Sequence, residues 1–321
     1  MTWVVWRQYR TQLAAGAAVL AGLAVFLLWT HHTMTDYLGS SGLSACVSGG
    51  GDCSTFYVAF NDKFRSLLNN SGYFNFLPLL VGLFWGAPLL AREFETGTYR
   101  LAWTQSVTRR RWLVVRVGAL IAVAVVAAVA FSLLLSWWFH GFTQVQVNAG
   151  GIGDSYTRMD PSVYNFTGVV PVAFTLYALA LGVAAGAVFR RTTVAMAVTV
   201  AAWLPLRLWV ESMRSHFIAP LHASLPLGAA LPRGAWILGV EPQGPGGTPL
   251  TDGPIKAPCA LETVRSKSDA CLSAHGFHEV VTYQPVSRFW HFQLIELSIY
   301  AGLAVLLFAL TYFWVTRRSN G

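Results

Sequence analysis

The chain has 321 residues, of which 55% are hydrophobic and only 11% are charged, and its mean hydropathy is +0.50. This composition excludes an ordinary water-soluble enzyme, which needs a more charged surface. The 20 Phe, 13 Trp and 11 Tyr also exclude a disordered chain, because so much apolar area has to be hidden in a core or a bilayer. A net charge of +8 is typical of nucleic-acid binding in soluble proteins, but in a membrane protein it reports how the chain is threaded. We therefore predict an all-α membrane protein without a nucleic-acid partner.

Six uncharged apolar runs are long enough to cross about 30 Å of hydrocarbon as helices. The predicted spans are Leu13–Trp29, Phe74–Ala91, Leu113–Phe139, Thr167–Phe189, Thr193–Val210 and Phe292–Val315. The fifth span is the weakest, because Arg191 and Arg207 bracket only 15 uncharged residues and Pro205 interrupts them. Within the fourth span, Gly182 and Gly186 form a GxxxG spacing that permits close helix approach and that also arises by chance in such an Ala/Gly-rich run. We predict that residues 1–321 form a single transmembrane domain.

The arginines predict the orientation of the spans. With six spans both termini share a side, and the short segments on that side hold twelve arginines against two acidic residues, Glu93 and Glu95. Those arginines are Arg7, Arg10, Arg92, Arg100, Arg109, Arg110, Arg111, Arg116, Arg190, Arg191, Arg317 and Arg318. The opposite side holds ten basic and eleven acidic residues, so the positive-inside rule places both termini in the cytoplasm. The outer loops are then residues 30–73, 140–166 and 211–291.

The first apolar run invites interpretation as a secretory signal peptide, because it follows Arg7 and Arg10. Its core of 17 residues ends in bulky side chains up to Trp29 and lacks small residues at its exit. We therefore expect the first span to remain in the mature protein. In the last outer loop, the Pro- and Gly-rich stretch Pro232–Pro258 is predicted to be irregular.

The four cysteines all lie in predicted outer loops, where disulfides are permitted. Their spacing pairs Cys46 with Cys53 and Cys259 with Cys271, and we expect two local bridges. A zinc site built from Cys259, Cys271, His275 and His278 is the alternative, but that spacing matches no closed structural zinc site. We predict no metal centre.

Two charged residues lie near the outer ends of predicted spans, where ionisable groups are costly and often functional. Arg207 of the fifth span and Glu296 of the sixth form a possible intramembrane pair, and Arg207 is equally able to pair with Glu211 one helical turn on. In a third interpretation both residues lie in the outer headgroup zone and the Arg207 side chain snorkels to water.

No phosphate-binding motif is present. Such motifs need a Lys to reach the phosphates, and the only lysines, Lys63, Lys256 and Lys267, lie in predicted outer loops. The eight histidines also lie in the predicted outer loops or near the outer membrane interface, so no cytoplasmic acid–base cluster can be assembled. We predict a non-catalytic chain without a cofactor of its own, so any nucleotide is bound by another chain.

The segment 92–112, between the second and third spans, is the most informative part of the predicted cytoplasmic face. Gly97 permits a turn, and Thr98 is suited to cap a short helix over Tyr99–Gln105. Ser106 or Thr108 is suited to cap the next helix, which opens with the three arginines at 109–111. A short helix across the membrane mouth is well placed to dock on a soluble partner, although an ordinary charged loop whose arginines contact lipid phosphates is the simpler alternative.

Glu93-Phe-Glu95-Thr-Gly97-Thr98, followed by Leu101, Thr104 and Arg109, resembles the Glu-x-Gly-Thr … Leu … Thr-x-x-x-x-Arg signature of ABC-2-type transporter permeases. These are the membrane subunits of ABC exporters. The N-terminal segment from Trp3 to Arg10 also resembles the amphipathic entry helix of such permeases in high-GC bacteria. The chain departs from the pattern at Ser106-Val107, where many members have Pro and a hydrophobic residue.

The resemblance implies that a coupling helix between the second and third spans sits on an ATPase subunit. It assigns that contact to Glu93, Glu95, Gly97, Thr98 and Arg100, with a smaller second contact at Arg190, Arg191 and Thr192. Arg109, Arg110 and Arg111 then bind lipid phosphate or the rim of the ATPase. The family also places a re-entrant or outer helical element between the fifth and sixth spans, and Phe217–Leu231 has room for one.

The resemblance further implies an exporter in the bacterial plasma membrane, moving an amphipathic or lipid-like substrate. Two copies of the chain, or one copy and a second permease, assemble with two ABC ATPase subunits that bind the ATP, surrounded by membrane lipids. The alternative is a non-transporting membrane protein whose disulfide-stapled outer loops sense or bind a ligand. That alternative accounts for the long outer loops but gives the Glu-x-Gly-Thr segment no role.

Overall fold

The computed structural model describes residues 2–42, 45–46, 53–98, 108–148, 157–229, 231–232, 234–247, 259 and 265–317. Among them are six helical segments long and apolar enough to cross a membrane. They are Leu13–Ser40, Val58–Thr96, Arg109–His140, Val170–Phe189, Thr192–His216 and Val286–Arg317. The prediction of a mostly helical chain with six spans is confirmed.

The helices, in chain order, are α1 (Thr2–Ser40), α2 (Ser54–Asn70), α3 (Leu77–Val81), α4 (Ala87–Thr96), α5 (Arg109–Asn148), α6 (Pro161–Tyr164), α7 (Val170–Phe189), α8 (Thr192–Met213), α9 (Arg265–Ala274) and α10 (Phe289–Arg317). Several ends follow local chemistry. The Asp160 carboxylate accepts a 2.8 Å hydrogen bond from the Ser162 amide and caps α6. Gly97, with φ +69°, ends α4 in the left-handed conformation that glycine adopts without strain.

Several helices run beyond the predicted span ends. The first was expected to end at Trp29, but α1 continues to Ser40. The Thr30 and Thr33 hydroxyls each donate a 2.9 Å bond to the carbonyl four residues back, so these polar residues add no unpaired hydroxyl to the helix. Hydropathy marks the end of the apolar run at Trp29, whereas α1 itself ends at Ser40.

The second span is assembled from several pieces. A 3-10 turn at Ser71–Phe76 joins α2 to α3, and a single π-helical turn at Gly82–Gly86 joins α3 to α4. The predicted span Phe74–Ala91 occupies its second half. The fifth span likewise continues through a 3-10 turn at Arg214–His216.

Helix α7 is the centre of the bundle and packs against α4, α5, α8 and α10. Its small residues let the π-turn approach very closely. A Cβ on Gly86 would lie 2.8 Å from the Leu179 carbonyl oxygen, and a Cβ on Gly182 would lie 2.8 Å from the Ala87 amide nitrogen. Backbone therefore meets backbone here, which is the close approach that the GxxxG spacing permits.

A three-stranded antiparallel sheet lies between the fifth and sixth spans. Its strands are β1 (Leu221–Pro226), β2 (Trp236–Gln243) and β3 (His278–Gln284), in the spatial order β1-β3-β2. The central strand β3 carries Val280, Val281 and Thr282 in sequence, and such β-branched residues favour strands.

Two sequence predictions for this loop are wrong. The stretch Phe217–Leu231 was expected to be helical, but it contains β1. The stretch Pro232–Pro258 was expected to be irregular, but it contains β2. Pro226 lies in the edge strand β1, and Gly239 and Pro242 lie in the edge strand β2, where a missing donor or a weak propensity is tolerated. Residues 248–258 of the stretch predicted to be irregular lie outside the described residues.

Both predicted disulfides are present. Cys46 bonds to Cys53, and Cys259 bonds to Cys271. Because the second bridge uses both sulfurs, the zinc alternative loses its thiolates even though a ring nitrogen of His275 lies within 4.8 Å of them. The Nδ1 of His275 instead lies 2.8 Å from the Cys271 carbonyl oxygen.

Candidate functional site

Two polar clusters lie at opposite ends of the helix bundle. The first is at the arginine-rich end, where α4, α7 and α10 end and α5 and α8 begin. A shared apolar cluster holds this end together: it contains Leu90 of α4, Trp112 and Leu113 of α5, Ala187 of α7 and Val315 of α10. The helix ends predicted to lie in the cytoplasm therefore come together around one core.

Glu95 joins the two predicted coupling segments directly. Its Oε1 accepts a 3.0 Å bond from the Thr192 amide, and its Oε2 accepts a 2.7 Å bond from the Thr192 hydroxyl. Thr192 is the first residue of α8, and its preceding residue Arg191 contributes no side-chain cap. A carboxylate at a helix N-terminus satisfies a free amide and interacts favourably with the helix dipole. The end of α4 therefore caps the start of α8.

Glu93 makes the neighbouring connection, from α4 to α5. Arg116 Nη1 donates a 2.6 Å bond to its Oε1, and the Thr98 hydroxyl donates a 2.8 Å bond to its Oε2. The two charged side chains are 9% and 13% exposed, and the Arg116 guanidinium lies 4.8 Å from the centre of the Trp112 ring. Arg116 was predicted only as part of the arginine excess, because its partner is 23 residues away.

The other predicted coupling residues lie around these two carboxylates. Gly97 makes the left-handed turn after α4, and the Thr96 and Thr98 hydroxyls are 3.0 Å apart. Arg190 ends α7 with φ +54°, and its guanidinium lies 5.3 Å from the centre of the Phe94 ring. Arg100 and the predicted short helix Tyr99–Gln105 lie outside the described residues.

The three arginines Arg109, Arg110 and Arg111 begin α5. The Thr108 hydroxyl accepts a 3.4 Å bond from the Arg111 amide, the arrangement of a helix cap. Arg110 and Arg111 are exposed and Arg109 is half-buried, so this cluster presents positive charge at the surface of the arginine-rich end.

The second polar cluster, the sheet-end cluster, is buried where the bundle meets the sheet. Arg214 Nε donates a 2.5 Å bond to Glu296 Oε1, and Arg214 Nη2 donates a 2.7 Å bond to Asn165 Oδ1. The Arg214 and Glu296 side chains are 2% and 0% exposed. This cluster joins the segment before the fourth span to the fifth and sixth spans.

Sequence reasoning chose a different partner for Glu296. The expected pair Arg207–Glu296 is corrected here: Glu296 binds Arg214, and Arg207 lies 3.4 Å from Glu211, the second partner considered. The Arg207 side chain is 5% exposed and its guanidinium lies 4.0 Å from the centre of the Phe174 ring, so it does not snorkel. Arg214 was missed because the predicted fifth span ended at Val210, before the helix does.

Tyr164 covers the other side of Arg214, with its ring centre 4.3 Å from the guanidinium. Burial, with a smaller contribution from the Glu296 carboxylate, raises the pKa of the Tyr164 hydroxyl far above its usual range. This hydroxyl stays neutral, so the sheet-end cluster holds a balanced set of charges in a region of low dielectric.

Gln293, one turn before Glu296, completes the connection to the fourth span. Its Oε1 accepts bonds of 2.9 Å and 3.0 Å from the Val169 and Val170 amides at the start of α7. Among their described residues, the two clusters contain no histidine and no cysteine. Both are suited to holding helix ends together and to transmitting movement between them.

The model of one protein family, described as ABC-2 membrane transporter related, matches residues 17–214, which is more than half of the chain. The chain belongs to the ABC-2 membrane transporter related family. Among curated proteins and solved structures no match was found.

Family membership and six apolar helices make the chain a multi-pass membrane protein of the ABC-2 permease type. Such a permease is a membrane transport component that associates with an ABC ATPase partner. The matched residues include both proposed coupling segments, at 92–112 and 190–192, and the match ends at Arg214 in the sheet-end cluster.

Proposed function

We propose that this chain is the membrane subunit of an ATP-driven exporter in the bacterial plasma membrane, moving an amphipathic or lipid-like substrate. Two ABC ATPase subunits supply the ATP hydrolysis. Two copies of the chain, or one copy and a second permease, form the membrane part. Both termini lie in the cytoplasm with the arginine-rich end.

The bond between Glu95 and Thr192 is the observation that carries this proposal. It ties the segment after the second span to the segment between the fourth and fifth spans, the two places where the family resemblance puts ATPase contacts. An ATPase that pushes on either segment therefore moves both. Glu93 and Arg116 extend the same connection to the third span.

In this mechanism Glu93 and Glu95 act as positioning residues. Their carboxylates hold helix ends in register, and Gly97, Thr98, Arg100, Arg190 and Arg191 form the surface that the ATPase contacts. Arg109–Arg111 bind lipid phosphate or the ATPase rim with their guanidinium groups. Closure of the ATPase subunits around ATP then moves α4 and α8 as one unit and opens a path between the permease subunits.

The sheet packs onto the bundle, which favours an exporter with an outer cap over a free sensory domain. The Trp236 ring of β2 lies 6.2 Å, centre to centre, from the ring of Phe292 in α10. Gln284 of β3 donates a 2.6 Å bond to the Ile218 carbonyl, and Arg288 donates a 2.7 Å bond to the Ala219 carbonyl. Movement of the fifth and sixth spans therefore moves the sheet.

The direct test is ATPase turnover in the reconstituted complex. A tagged chain is co-purified with its separately encoded ATPase, and turnover is compared for the parent, Glu95→Ala, Thr192→Val and the double variant. Glu95→Ala removes both bonds and should lower permease-stimulated turnover several-fold, whereas Thr192→Val keeps the amide bond and should lower turnover less. The double variant should be no worse than Glu95→Ala, because that variant has already lost the hydroxyl bond.

Glu241→Ala is the matched control, since Glu241 is an exposed carboxylate of β2 at the other end of the molecule. It should leave turnover unchanged. Normal turnover in Glu95→Ala would overturn the coupling assignment, and failure of any ATPase to co-purify with the parent chain would overturn the exporter itself.

Orientation is tested separately with cysteine labelling. A membrane-impermeant maleimide applied to intact cells should label Ser224→Cys in β1 and leave Arg191→Cys unlabelled until the membrane is opened. The reverse pattern would place the arginine-rich end outside.

A further inference from the structure

An apolar cavity of about 340 Å³ lies inside the bundle, apart from both polar clusters. Its walls come from α1, from the second span around the π-turn and from α5, with Thr175 of α7 among its lining. The Thr175 hydroxyl donates a 2.8 Å bond to the Pro171 carbonyl, so this polar side chain in the wall is already paired. The other lining residues are almost all aliphatic or aromatic.

The cavity lies between two contacts that α1 makes with its neighbours. Toward the sheet end, Leu27 packs in one apolar cluster with Leu135 and Trp138 of α5. Toward the arginine-rich end, Gly16 lies so close to the Trp85 ring that an added Cβ would collide with it. Between these contacts the small side chains of Ala127 and Ala128 on α5 leave space that nothing in the described chain fills.

The π-turn gives the cavity its second wall. Gly82 and Gly86 face α7, where their backbone lies against α7 backbone. The residues on the other face of the same turn, Phe84 and Trp85, therefore face the cavity. The second span lines it from Leu77 to Trp85, a length of about 12 Å along a helix.

The cavity is open toward the surface that the bilayer surrounds. Three lining residues, Val19, Leu80 and Phe84, are 57%, 41% and 56% exposed. Because they belong to segments long and apolar enough to span a membrane, this side of the single chain lies at the depth of the hydrocarbon. A lipid chain can therefore enter from the side without crossing a polar layer.

We propose that this cavity binds one acyl chain of a membrane phospholipid. Its volume is more than twice the roughly 150 Å³ of an engineered apolar cavity that takes up benzene, so it accommodates a long stretch of hydrocarbon chain. Left empty, its lining would lose the dispersion contacts that a close-packed interior provides. The bound chain acts as a spacer that holds α1 against α5 and the second span. This site is independent of the exporter proposal, since it lies on a single chain and involves no ATPase.

The probe is phosphatidylcholine with a photoactivatable diazirine in the middle of one acyl chain. The full-length protein is placed in nanodiscs with this lipid, irradiated and mapped by peptide mass spectrometry. Val19 and Leu80 should carry several-fold more adduct than Val305 and Leu306 of α10, which are 68% and 54% exposed. The α10 residues lie at a comparable depth, because Tyr300 and Phe174, one residue from Thr175, are in ring contact.

Filling the cavity should abolish this preference. Ala127→Phe places a ring in the space, so adducts at Val19 and Leu80 should fall to the level of α10, while the α10 adducts themselves stay unchanged and report an intact fold. Ala122→Phe is the matched control, the same substitution at an exposed position of the same helix, and should leave the preference in place. If Ala127→Phe does not fold, Ala15→Leu fills the cavity from α1.

Two results overturn the proposal. One is equal labelling of the cavity residues and the α10 residues in the parent protein, which means ordinary bilayer contact. The other is a preference that survives in the folded cavity-filled variant. Neither result depends on whether an ATPase binds the chain.

Discussion

Both ends of the bundle join helices through a glutamate and an arginine, but the surroundings differ. At the sheet end the side chains of Arg214 and Glu296 are 2% and 0% exposed. At the arginine-rich end those of Arg116 and Glu93 are 9% and 13% exposed, and the nearby Glu95 contact is exposed. A buried pair that loses one partner leaves a charge in low dielectric, whereas water replaces an exposed partner at little cost. The helices of the sheet end are therefore harder to separate than those of the arginine-rich end, where a less deeply buried pair and an exposed contact hold α4 against α5 and α8.

The largest expected effect comes from breaking the buried pair. Arg214→Met should lower the free energy of unfolding by about 3–5 kcal/mol, because Glu296 is left without its cation. Arg214→Met combined with Glu296→Leu should recover most of that loss, since the uncompensated charge is removed as well. Thermal unfolding of the purified protein measures both variants. A double variant as unstable as the single one would mean that packing, and not charge, makes Arg214 important.

The second effect concerns the disulfides, which among the described residues occur only in the loops at the sheet end. Replacing Cys259 and Cys271 together by serine should lower the local stability of the sheet region by about 2–3 kcal/mol, because a short loop gains freedom when unfolded. Hydrogen exchange should become faster in β3 and α9 and stay unchanged in Arg109–Arg116. Faster exchange at both ends would show that the two ends are not separate in stability.

The third effect is the counterpart of the first at the arginine-rich end. Arg116→Met should lower the free energy of unfolding by about 1–2 kcal/mol, between the values for exposed and buried pairs. The same thermal measurement checks it. A loss as large as that of Arg214→Met would remove the contrast between the two ends.

Salt produces the smallest effect. Raising the ionic strength from about 0.1 M to about 1 M shortens the screening length from about 10 Å to about 3 Å. The stability difference between the parent and Arg116→Met should shrink by a few tenths of a kcal/mol, whereas the difference for Arg214→Met should stay constant. Equal salt sensitivity at both ends would mean that water reaches Arg214 and Glu296.

Sequence reasoning found the elements that depend on local composition. Six spans follow from apolar runs, and the cysteine pairs follow from spacing within a loop. The polar residues that carry α1 to Ser40 gave no hydropathy signal. Strand β1 lies where the family resemblance implied a helical element, and β2 was hidden by the prolines and glycines of its stretch. The two strands form because they pair with β3, which lies some 35 to 60 residues further along the chain.

The polar clusters were predicted only in part, because their partners are distant in sequence. Glu95 and Thr192 were each assigned to an ATPase contact, but their bond to one another spans 97 residues and leaves no local pattern. Glu296 was singled out as an intramembrane charge, yet its partner Arg214 was placed in a loop. The free-energy cost of an ionisable group in a membrane span singles out a charged residue in the sequence. Only the tertiary structure identifies the group that balances its charge.

The π-turn keeps the residues of the second span that contact α7 aligned on one side of the helix. Three residues that this span buries against α7, Gly82, Gly86 and Leu90, lie at every fourth position. In an uninterrupted α-helix such a stripe would rotate by about 80° over these eight residues, because each residue turns about 100°. A π-turn takes up one extra residue, which removes about 100° and returns the stripe close to one line. Deleting a single residue between 82 and 86 therefore leaves the helix intact but rotates every later residue of the span by about 100°, which turns Leu90 away from α7.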